Sequence, residues 1–119
     1  AYLGEMIESY LGNGSKWGLE IHYSREGSPL ETAGGIKKAL TLLGDEPFLV
    51  VNADIFTDLD YISLKNRNLN SFKGHLVMVK NPAHHIEGDF VLNHNKIELE
   101  GDSKLTFSGL AIYRPEIFE

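Results

Sequence analysis

Hydrophobic residues recur along this chain with two different spacings, and one of them is helical. Over residues 3–11, and again over 36–43, apolar side chains lie three or four positions apart, which predicts two amphipathic helices. A third helix is expected at about 59–69, where Thr57 or Asp58 can serve as the N-cap.

Other stretches have the patterns of β-strands. Residues 19–23 alternate between apolar and polar, which predicts a strand with one covered face. Residues 48–53 form an apolar run after Pro47, which is typical of a fully buried strand in a parallel sheet. Further strands are predicted at 75–80, 89–93, 96–99 and 105–113.

The order of these elements predicts the fold class. Strands and helices alternate with short connections, which favours an α/β domain with a parallel sheet and helices on both faces. The β-rich C-terminal part makes a mixed, mainly parallel sheet the expected form. With 119 residues, of which 42% are hydrophobic, the chain has the size and composition of one folded domain.

Composition narrows the classes of partner. The formal charge is −6 and no basic cluster stands out, which argues against a nucleic-acid partner. No apolar run approaches the roughly 20 residues that cross a bilayer, so no membrane segment is expected. The absence of cysteine excludes disulfides and thiolate metal sites. An acidic protein that handles nucleotides generally needs a divalent cation to offset the phosphate charge.

The apolar run at 48–53 stops at a carboxylate. Asp54 follows it directly, and the carboxyl ends of strands in open α/β sheets border the crevice where ligands bind. Asp54 is therefore the candidate catalytic residue. The structural alternative is that it caps the next segment or begins a turn.

A glycine-containing segment precedes the second helix. Residues 29–36, Pro-Leu-Glu-Thr-Ala-Gly-Gly-Ile, predict a loop between a strand and a helix. Its glycines would let backbone N–H groups approach a ligand, and the helix N-terminus beyond would add a positive partial charge. A plain connecting loop that uses glycine for its geometry is the structural alternative.

Four segments stand out by their order and spacing. They are LETAGG at 30–35, FLVVNAD at 48–54, NPAHHIEGDF at 81–90 and LTFSGL at 105–110. Together they resemble the sugar-1-phosphate nucleotidylyltransferases, and the last two are most similar to the branch that transfers uridylyl groups to N-acetylmuramate 1-phosphate. The resemblance covers nearly the whole chain. It implies a Rossmann-like fold of the GT-A type and a cytoplasmic enzyme that makes a UDP-sugar for cell-wall recycling.

The resemblance also implies roles for individual residues. Asp54 would hold Mg²⁺ on the triphosphate of UTP, while the sugar 1-phosphate attacks the α-phosphorus and pyrophosphate leaves. The implied nucleotide-binding residues are Glu31, Thr32, Ala33, Gly34, Gly35 and Asn52, with Ser24 and Glu26 as weaker candidates. The implied sugar-binding residues are Gly88, Asp89, Ser108 and Gly109.

Two parts of the family pattern have no counterpart in the chain. These are the glycine-rich phosphate loop with its Arg and Lys, and the second metal-binding aspartate. We therefore expect residues 1–119 to be part of a nucleotidylyltransferase domain that is inactive by itself. A sheet without its first strand would expose an edge and part of its core, which predicts marginal stability or self-association.

Other functions stay open at this stage. A related enzyme could use mannose or glucose 1-phosphate with GTP or dTTP. A glycosyltransferase would place Asp-x-Asp at the strand end, and a haloacid-dehalogenase-type phosphatase also needs a second aspartate there, whereas Phe56 stands two positions after Asp54. The non-enzyme alternative is a truncated remnant that binds nucleotide weakly. His84 and His85 with Asp89 could also hold a metal, although adjacent histidines rarely point to one ion.

Overall fold

The computed structural model describes residues 3–119, which divide into two compact units. Unit 1 contains the described residues up to Glu46 together with Phe118 and Glu119, and unit 2 runs from Pro47 to Ile117. Among the described residues of unit 1 there are two α-helices and a short 3₁₀ turn. These are α1 (Gly4–Leu11), the turn Ser15–Trp17 and α2 (Glu31–Leu43).

Helix α1 confirms the helix predicted at 3–11. It ends at Gly12, which has φ 54° and donates its backbone N–H to the Glu8 carbonyl at 2.8 Å. Its apolar side chains are largely exposed, with 66% of Met6 and 76% of Tyr10 accessible to solvent. Exposed apolar surface of this kind is consistent with self-association, which stays a prediction.

The strand predicted at 19–23 is wrong, because these residues form no strand in the described part of the chain. The backbone N–H of Leu19 donates to the Gly14 carbonyl at 3.1 Å, and that of Ile21 donates to Asn13 at 2.9 Å. The preceding turn therefore takes the hydrogen bonds that a neighbouring strand would receive. Alternation of side chains does not provide the partner strand that a β-strand needs.

Helix α2 begins five residues earlier than the sequence predicted. Residues 31–35, expected in a loop, are the first turn and a half of the helix, so that part of the loop prediction is wrong. At the start of the helix, the Glu26 carboxylate accepts a hydrogen bond from the backbone N–H of Leu30 at 3.3 Å. Glycine is disfavoured in a helix interior by only about 1 kcal/mol, so Gly34 and Gly35 do not prevent an early start.

Unit 2 contains a five-stranded sheet and one short α-helix among its described residues. Each of the strands predicted from Phe48 onward is confirmed to within two residues. The elements are β1 (Phe48–Val51), α3 (Tyr61–Lys65), β2 (Gly74–Val79), β3 (Phe90–Asn93), β4 (Lys96–Glu98), β5 (Lys104–Tyr113) and a 3₁₀ turn at Pro115–Ile117.

Strand β5 organises the sheet. It pairs with β1, β2 and β3, while β4 pairs with β3, and all four pairings are antiparallel. Phe48 and Gly74 both lie opposite Tyr113, so β1 and β2 flank β5 and run in the same direction. The α/β class is confirmed, but the expected mixed, mainly parallel sheet is wrong for the described strands, because every pairing among them is antiparallel. The parallel neighbours expected from chain order do not occur among the described strands, because β5 lies between β1 and β2.

The core of unit 2 lies along β5. Leu110, Ala111 and Ile112 are almost completely buried, and Leu64 and Leu69 pack with Ile112. Strand β1, predicted to be fully buried, is only half-buried, and Val51 is 41% exposed. The reason is that β1 pairs with β5 alone in the described sheet and so lies at its edge.

Helix α3 is much shorter than the helix predicted at 59–69. It begins after Asp60, whose carboxylate accepts a hydrogen bond from the backbone N–H of Ile62 at 2.9 Å. It ends at Asn66, after which the chain turns and brings Leu69 into the core.

Over residues 3–119, no helix has both the length and the apolar character that crossing a membrane requires.

Candidate functional site

Asp54 lies in a turn directly after β1. The Asn52 carbonyl accepts a hydrogen bond from the backbone N–H of Ile55 at 3.2 Å, which bends the chain through Ala53 and Asp54. Asp54 is exposed, and its carboxylate makes no hydrogen bond or ion pair with any residue from 3 to 119. Asp54 therefore follows the strand directly and lies in a turn, as the structural alternative held, and its role in chemistry stays a prediction.

Asn52 is fixed against β5 by both its backbone and its side chain. Its N–H donates to the Gly109 carbonyl at 3.0 Å. A Cβ at Gly109 would lie 2.8 Å from Nδ2 and 3.1 Å from Cγ of Asn52, so the amide lies directly on the glycine. Gly109 has φ 82°, a backbone conformation that is unfavourable for residues with a Cβ. The structure thus brings a predicted nucleotide residue and a predicted sugar residue into contact.

Strand β5 bulges at the predicted sugar-binding pair. The register with β2 shifts between Leu76, which lies opposite Ala111, and Met78, which lies opposite Phe107. The extra residues of β5 include Ser108, whose hydroxyl oxygen is buried without a hydrogen-bond partner in the described structure. Because buried polar atoms normally have a partner, this hydroxyl marks an unusual position beside Gly109.

The two carboxylate oxygens of Asp89 contact β5 and the preceding loop, respectively. Oδ2 accepts a hydrogen bond from the backbone N–H of Phe107 at 2.8 Å, and Oδ1 lies 3.1 Å from Nε2 of His85. The bond from Phe107, and then the neighbouring His85, hold the pKa of Asp89 below its usual value, because both stabilise the charged form. The geometry gives Asp89 a structural role, and direct contact with a sugar stays a prediction.

The chain before Asp89 is docked on the same strand by a residue that the sequence analysis missed. Nδ2 of Asn81 donates to the Ile86 and Lys104 carbonyls, and its Oδ1 accepts from Oγ1 of Thr106. A Cβ at Gly88, which has φ 64°, would lie 2.8 Å from Oδ1 of Asn81. The available signal was the Asn-Pro pair at 81–82, which marks a turn but does not reveal what the amide binds.

The predicted nucleotide residues from 31 to 35 lie in unit 1, in the first turns of α2. Glu31, Thr32 and Ala33 are exposed, whereas Gly34 and Gly35 are half-buried. A Cβ at Gly35 would fall 2.5 Å from Oε1 of Glu26.

The two glycines thus permit close approach of neighbouring side chains within this unit. At Gly34 an added Cβ would lie 2.9 Å from Cβ of Leu30. The Glu26 carboxylate already accepts a hydrogen bond at the N-terminus of α2, where a ligand was expected. A nucleotide contact by residues 31–35 stays a prediction, as does a base contact by Ser24.

The donor set limits what metal the described residues can hold. Within residues 3–119 no group of three or more His, Asp or Glu side chains is arranged around one point. The Asp60 carboxylate is engaged as the cap of α3, which leaves Asp54 as the exposed carboxylate at the strand end. Mg²⁺ commonly takes one or two protein carboxylates and fills its other positions with phosphate and water oxygens. Asp54 fits such a minimal site.

Comparison with known proteins places these features in a family. Residues 1–85 match the family model described as nucleotidyl transferase. The chain is 47% identical to the N-acetylmuramate alpha-1-phosphate uridylyltransferase of Neisseria meningitidis serogroup B, over all of this chain and 54% of that protein. It is 37% identical to the D-glycero-alpha-D-manno-heptose 1-phosphate guanylyltransferase of Aneurinibacillus thermoaerophilus, over 72% of this chain and 36% of that protein.

A third relative has a further sugar in its name. The mannose-1-phosphate guanyltransferase of Hypocrea jecorina is 38% identical over 53% of this chain and 18% of its own length. The chain spans about half the length of its Neisseria relative and a smaller share of the other two. The family match covers more than half of the chain and agrees with the resemblance seen in the four sequence segments. The chain belongs to the nucleotidyl transferase family.

Proposed function

We propose that this chain contributes to a nucleotidylyltransferase that joins UTP to N-acetylmuramate 1-phosphate. In the reaction, a phosphate oxygen of the sugar phosphate forms a bond to the α-phosphorus of UTP. The bond between the α-phosphorus and the bridging oxygen to the β-phosphate breaks, and pyrophosphate leaves with the electron pair. Such transfers depend on positioning and charge neutralisation more than on a protein nucleophile.

The observation that carries the proposal is the arrangement at the end of β1. Asp54 offers an exposed carboxylate that makes no hydrogen bond or ion pair within residues 3–119, and Asn52, two residues earlier, is fixed on Gly109 of β5. An exposed carboxylate therefore follows, two residues along the chain, an asparagine that contacts a second residue predicted to bind a substrate. The 47% identity to a uridylyltransferase, along the whole of this chain, supports the choice of substrates.

Mg²⁺ is the proposed cofactor, and Asp54 is the residue that would hold it. When bound, Mg²⁺ neutralises phosphate charge and orients the triphosphate. The protein's own part is to leave the Asp54 carboxylate exposed at the end of β1, and to fix the neighbouring Asn52 amide through its contact with Gly109. A chain with net charge −6 repels the negatively charged triphosphate, and a bound cation offsets this repulsion.

Titration calorimetry of the folded 119-residue chain with UTP tests the proposal. We expect Mg²⁺-dependent binding that Asp54→Ala weakens at least about tenfold, or roughly 1.4 kcal/mol. Asp58→Ala is the matched control, because Asp58 is an exposed carboxylate four residues further along the same segment. Equal binding by both variants and the wild type would remove Asp54 from the site. A folded chain that binds no UTP would contradict the proposal and favour a remnant without substrate affinity.

A guanylyltransferase acting on another sugar phosphate is the second candidate. It is supported by the names of the Aneurinibacillus and Hypocrea relatives, which act on heptose and mannose 1-phosphates with a guanylyl donor. The same titration with GTP and mannose 1-phosphate distinguishes the two. Tighter binding of UTP and N-acetylmuramate 1-phosphate favours the first candidate, and the reverse order favours the second.

A further inference from the structure

Asn81 uses its side-chain amide to tie the following loop to the beginning of β5. Nδ2 donates to the Ile86 carbonyl at 2.9 Å and to the Lys104 carbonyl at 3.0 Å, while Oδ1 accepts from Oγ1 of Thr106 at 3.0 Å. Both donors of the amide are therefore used on two carbonyl groups. This fixes which end of the amide is nitrogen, because two carbonyl oxygens cannot face a third oxygen favourably.

The far end of the loop docks on the same part of β5. A Cβ at Gly88 would lie 2.9 Å from the carbonyl carbon of Lys104, so the backbone of the loop lies flush against the strand. Asp89 donates its N–H to the Leu105 carbonyl at 2.8 Å and accepts from the Phe107 N–H through its carboxylate. We call this set of bonds, made by Asn81 and Asp89 to residues 104–107, the loop clasp.

The loop clasp leads directly into the proposed substrate site. Phe107, the last residue that it holds, precedes Ser108 and Gly109, where β5 bulges and where Asn52 rests. Residues 104–107 thus connect the loop to the bulge by one continuous stretch of backbone, so the position of the loop affects the position of the bulge. A substitution at Asn81 or Thr106 would shift the bulge without altering any residue expected to touch a substrate.

We propose that Asn81 is a positioning residue for the sugar-phosphate side of the site. The inference rests on the proposed function, since it assigns a task within that same site. Asn81 touches no reacting group; it acts through the backbone of residues 104–107 and through Gly88. Its loss therefore weakens binding of the sugar phosphate, while the binding of UTP, proposed to centre on Asp54, is retained.

Two substitutions break the clasp in different ways. Asn81→Asp keeps the shape but removes both donors, so that a carboxylate oxygen faces the Ile86 and Lys104 carbonyls. Thr106→Val keeps the shape of the side chain and removes only the hydroxyl that donates to Oδ1 of Asn81. Thr106→Ser keeps that hydroxyl. The matched control is Asn68→Asp, which changes the charge equally but keeps its role as acceptor for the Asn70 N–H.

The first measurement is amide hydrogen exchange by NMR on the 119-residue chain. We expect the Asp89 and Phe107 amides to exchange at least about tenfold faster in Asn81→Asp, because local opening becomes easier. A smaller acceleration is expected in Thr106→Val, with recovery in Thr106→Ser and no change in Asn68→Asp. Thr106→Val also keeps the test decisive if Asn81→Asp fails to fold. Unchanged exchange in both folded variants would overturn the clasp.

The second measurement is titration of the same variants with UTP and with N-acetylmuramate 1-phosphate, each in the presence of Mg²⁺. We expect Asn81→Asp to bind the sugar phosphate at least about tenfold more weakly, and Thr106→Val at least about threefold more weakly. The UTP affinity of both variants should stay within about twofold of wild type. Normal sugar-phosphate binding by variants with fast exchange would overturn the positioning role alone. A wild-type chain that binds neither ligand would overturn the proposed function and the positioning role together.

Discussion

The side-chain amide of Asn52 lies on the bare α-carbon of Gly109, and this contact joins the end of β1 to the bulge of β5. The distance of 2.8 Å from Nδ2 to an added Cβ leaves no room for a methyl group. The backbone N–H of Asn52 also donates a hydrogen bond to the Gly109 carbonyl, so the same two residues are joined by backbone as well as side chain. The absence of a side chain at one residue therefore determines where the amide of the other can lie.

Gly109→Ala is expected to destabilise the protein. The φ of 82° alone disfavours alanine by roughly 1–2 kcal/mol, and the contact with Asn52 adds to this. Urea unfolding measures the loss, with Gly27→Ala as control because Gly27 has no neighbour within 4 Å of an added Cβ. Equal unfolding free energies for the two variants would show that the contact tolerates a methyl group.

Asp60→Ala is expected to lower the unfolding free energy by about 1 kcal/mol. The carboxylate of Asp60 caps α3 by accepting from the Ile62 N–H at 2.9 Å, and alanine leaves that donor without a side-chain acceptor. Asp58→Ala, at an exposed carboxylate outside the helix, should stay within about 0.5 kcal/mol of wild type. Urea titration at constant pH compares the three chains, and a larger effect at Asp58 would contradict the capping assignment.

Acid should weaken the attachment of Asp89 to β5. The hydrogen bond from the Phe107 N–H holds the folded-state pKa of Asp89 below 3.8, with a further contribution from His85. The unfolded state therefore takes up a proton first, so this stabilisation is present above about pH 4 and disappears as the pH falls through the folded-state pKa. Asp89→Asn should consequently lose less unfolding free energy than wild type between pH 5 and pH 3.

The control for Asp89 is Asp54→Asn, at a carboxylate that makes no hydrogen bond or ion pair with any described residue. The unfolding free energy of this variant should follow the wild-type profile, since no bond among residues 3–119 is lost. An Asp89→Asn profile parallel to that of wild type would mean that Asp89 contributes no pH-dependent stability.

His75 should make the protein less stable in mildly acidic solution. Burial on β2, followed by the nearby charge of Arg67, holds the folded-state pKa of His75 below 6.5. Because the unfolded state binds the proton more readily, stability is fully present above about pH 6.5 and is lost as the pH falls toward the folded-state pKa. His75→Gln should flatten the fall in unfolding free energy between pH 7.5 and pH 5.5.

An NMR titration of the His75 ring provides the direct check, and His84→Gln is the control because His84 is exposed. A midpoint for His75 at or above 6.5 would contradict the prediction. An unchanged slope in His75→Gln would assign the pH dependence to other groups.

The sequence predicted local structure best where side-chain pattern and tertiary partners agree. The apolar residues of β5 are both β-forming and buried, and the strand occurs where expected. Residues 19–23 have the alternation of a strand, but the turn at Asn13 and Gly14 takes their hydrogen bonds. Pairing partners far along the chain are not encoded in a local pattern, which is also why the position of β5 between β1 and β2 was not predicted.

The candidate site was predicted in part for the same reason. The end of an apolar strand identifies Asp54, and the structure leaves that carboxylate exposed, while its role in chemistry stays a prediction. Gly34 and Gly35 predicted a loop for a ligand, whereas they accommodate Leu30 and Glu26 beside a helix that begins earlier. Asn81 was missed because its three partners are contributed by a turn and a strand that no local pattern connects to it.

The central position of β5 has a consequence for the order of events during synthesis. Strands β1 and β2 leave the ribosome well before residues 104–113, and in the described sheet both hydrogen-bond only to those residues. Until β5 emerges, their edges and apolar side chains have no native partner, and such unpaired strands are prone to aggregation. The nascent chain is therefore most vulnerable between the completion of β2 and the emergence of Tyr113, a period in which chaperone binding would protect it.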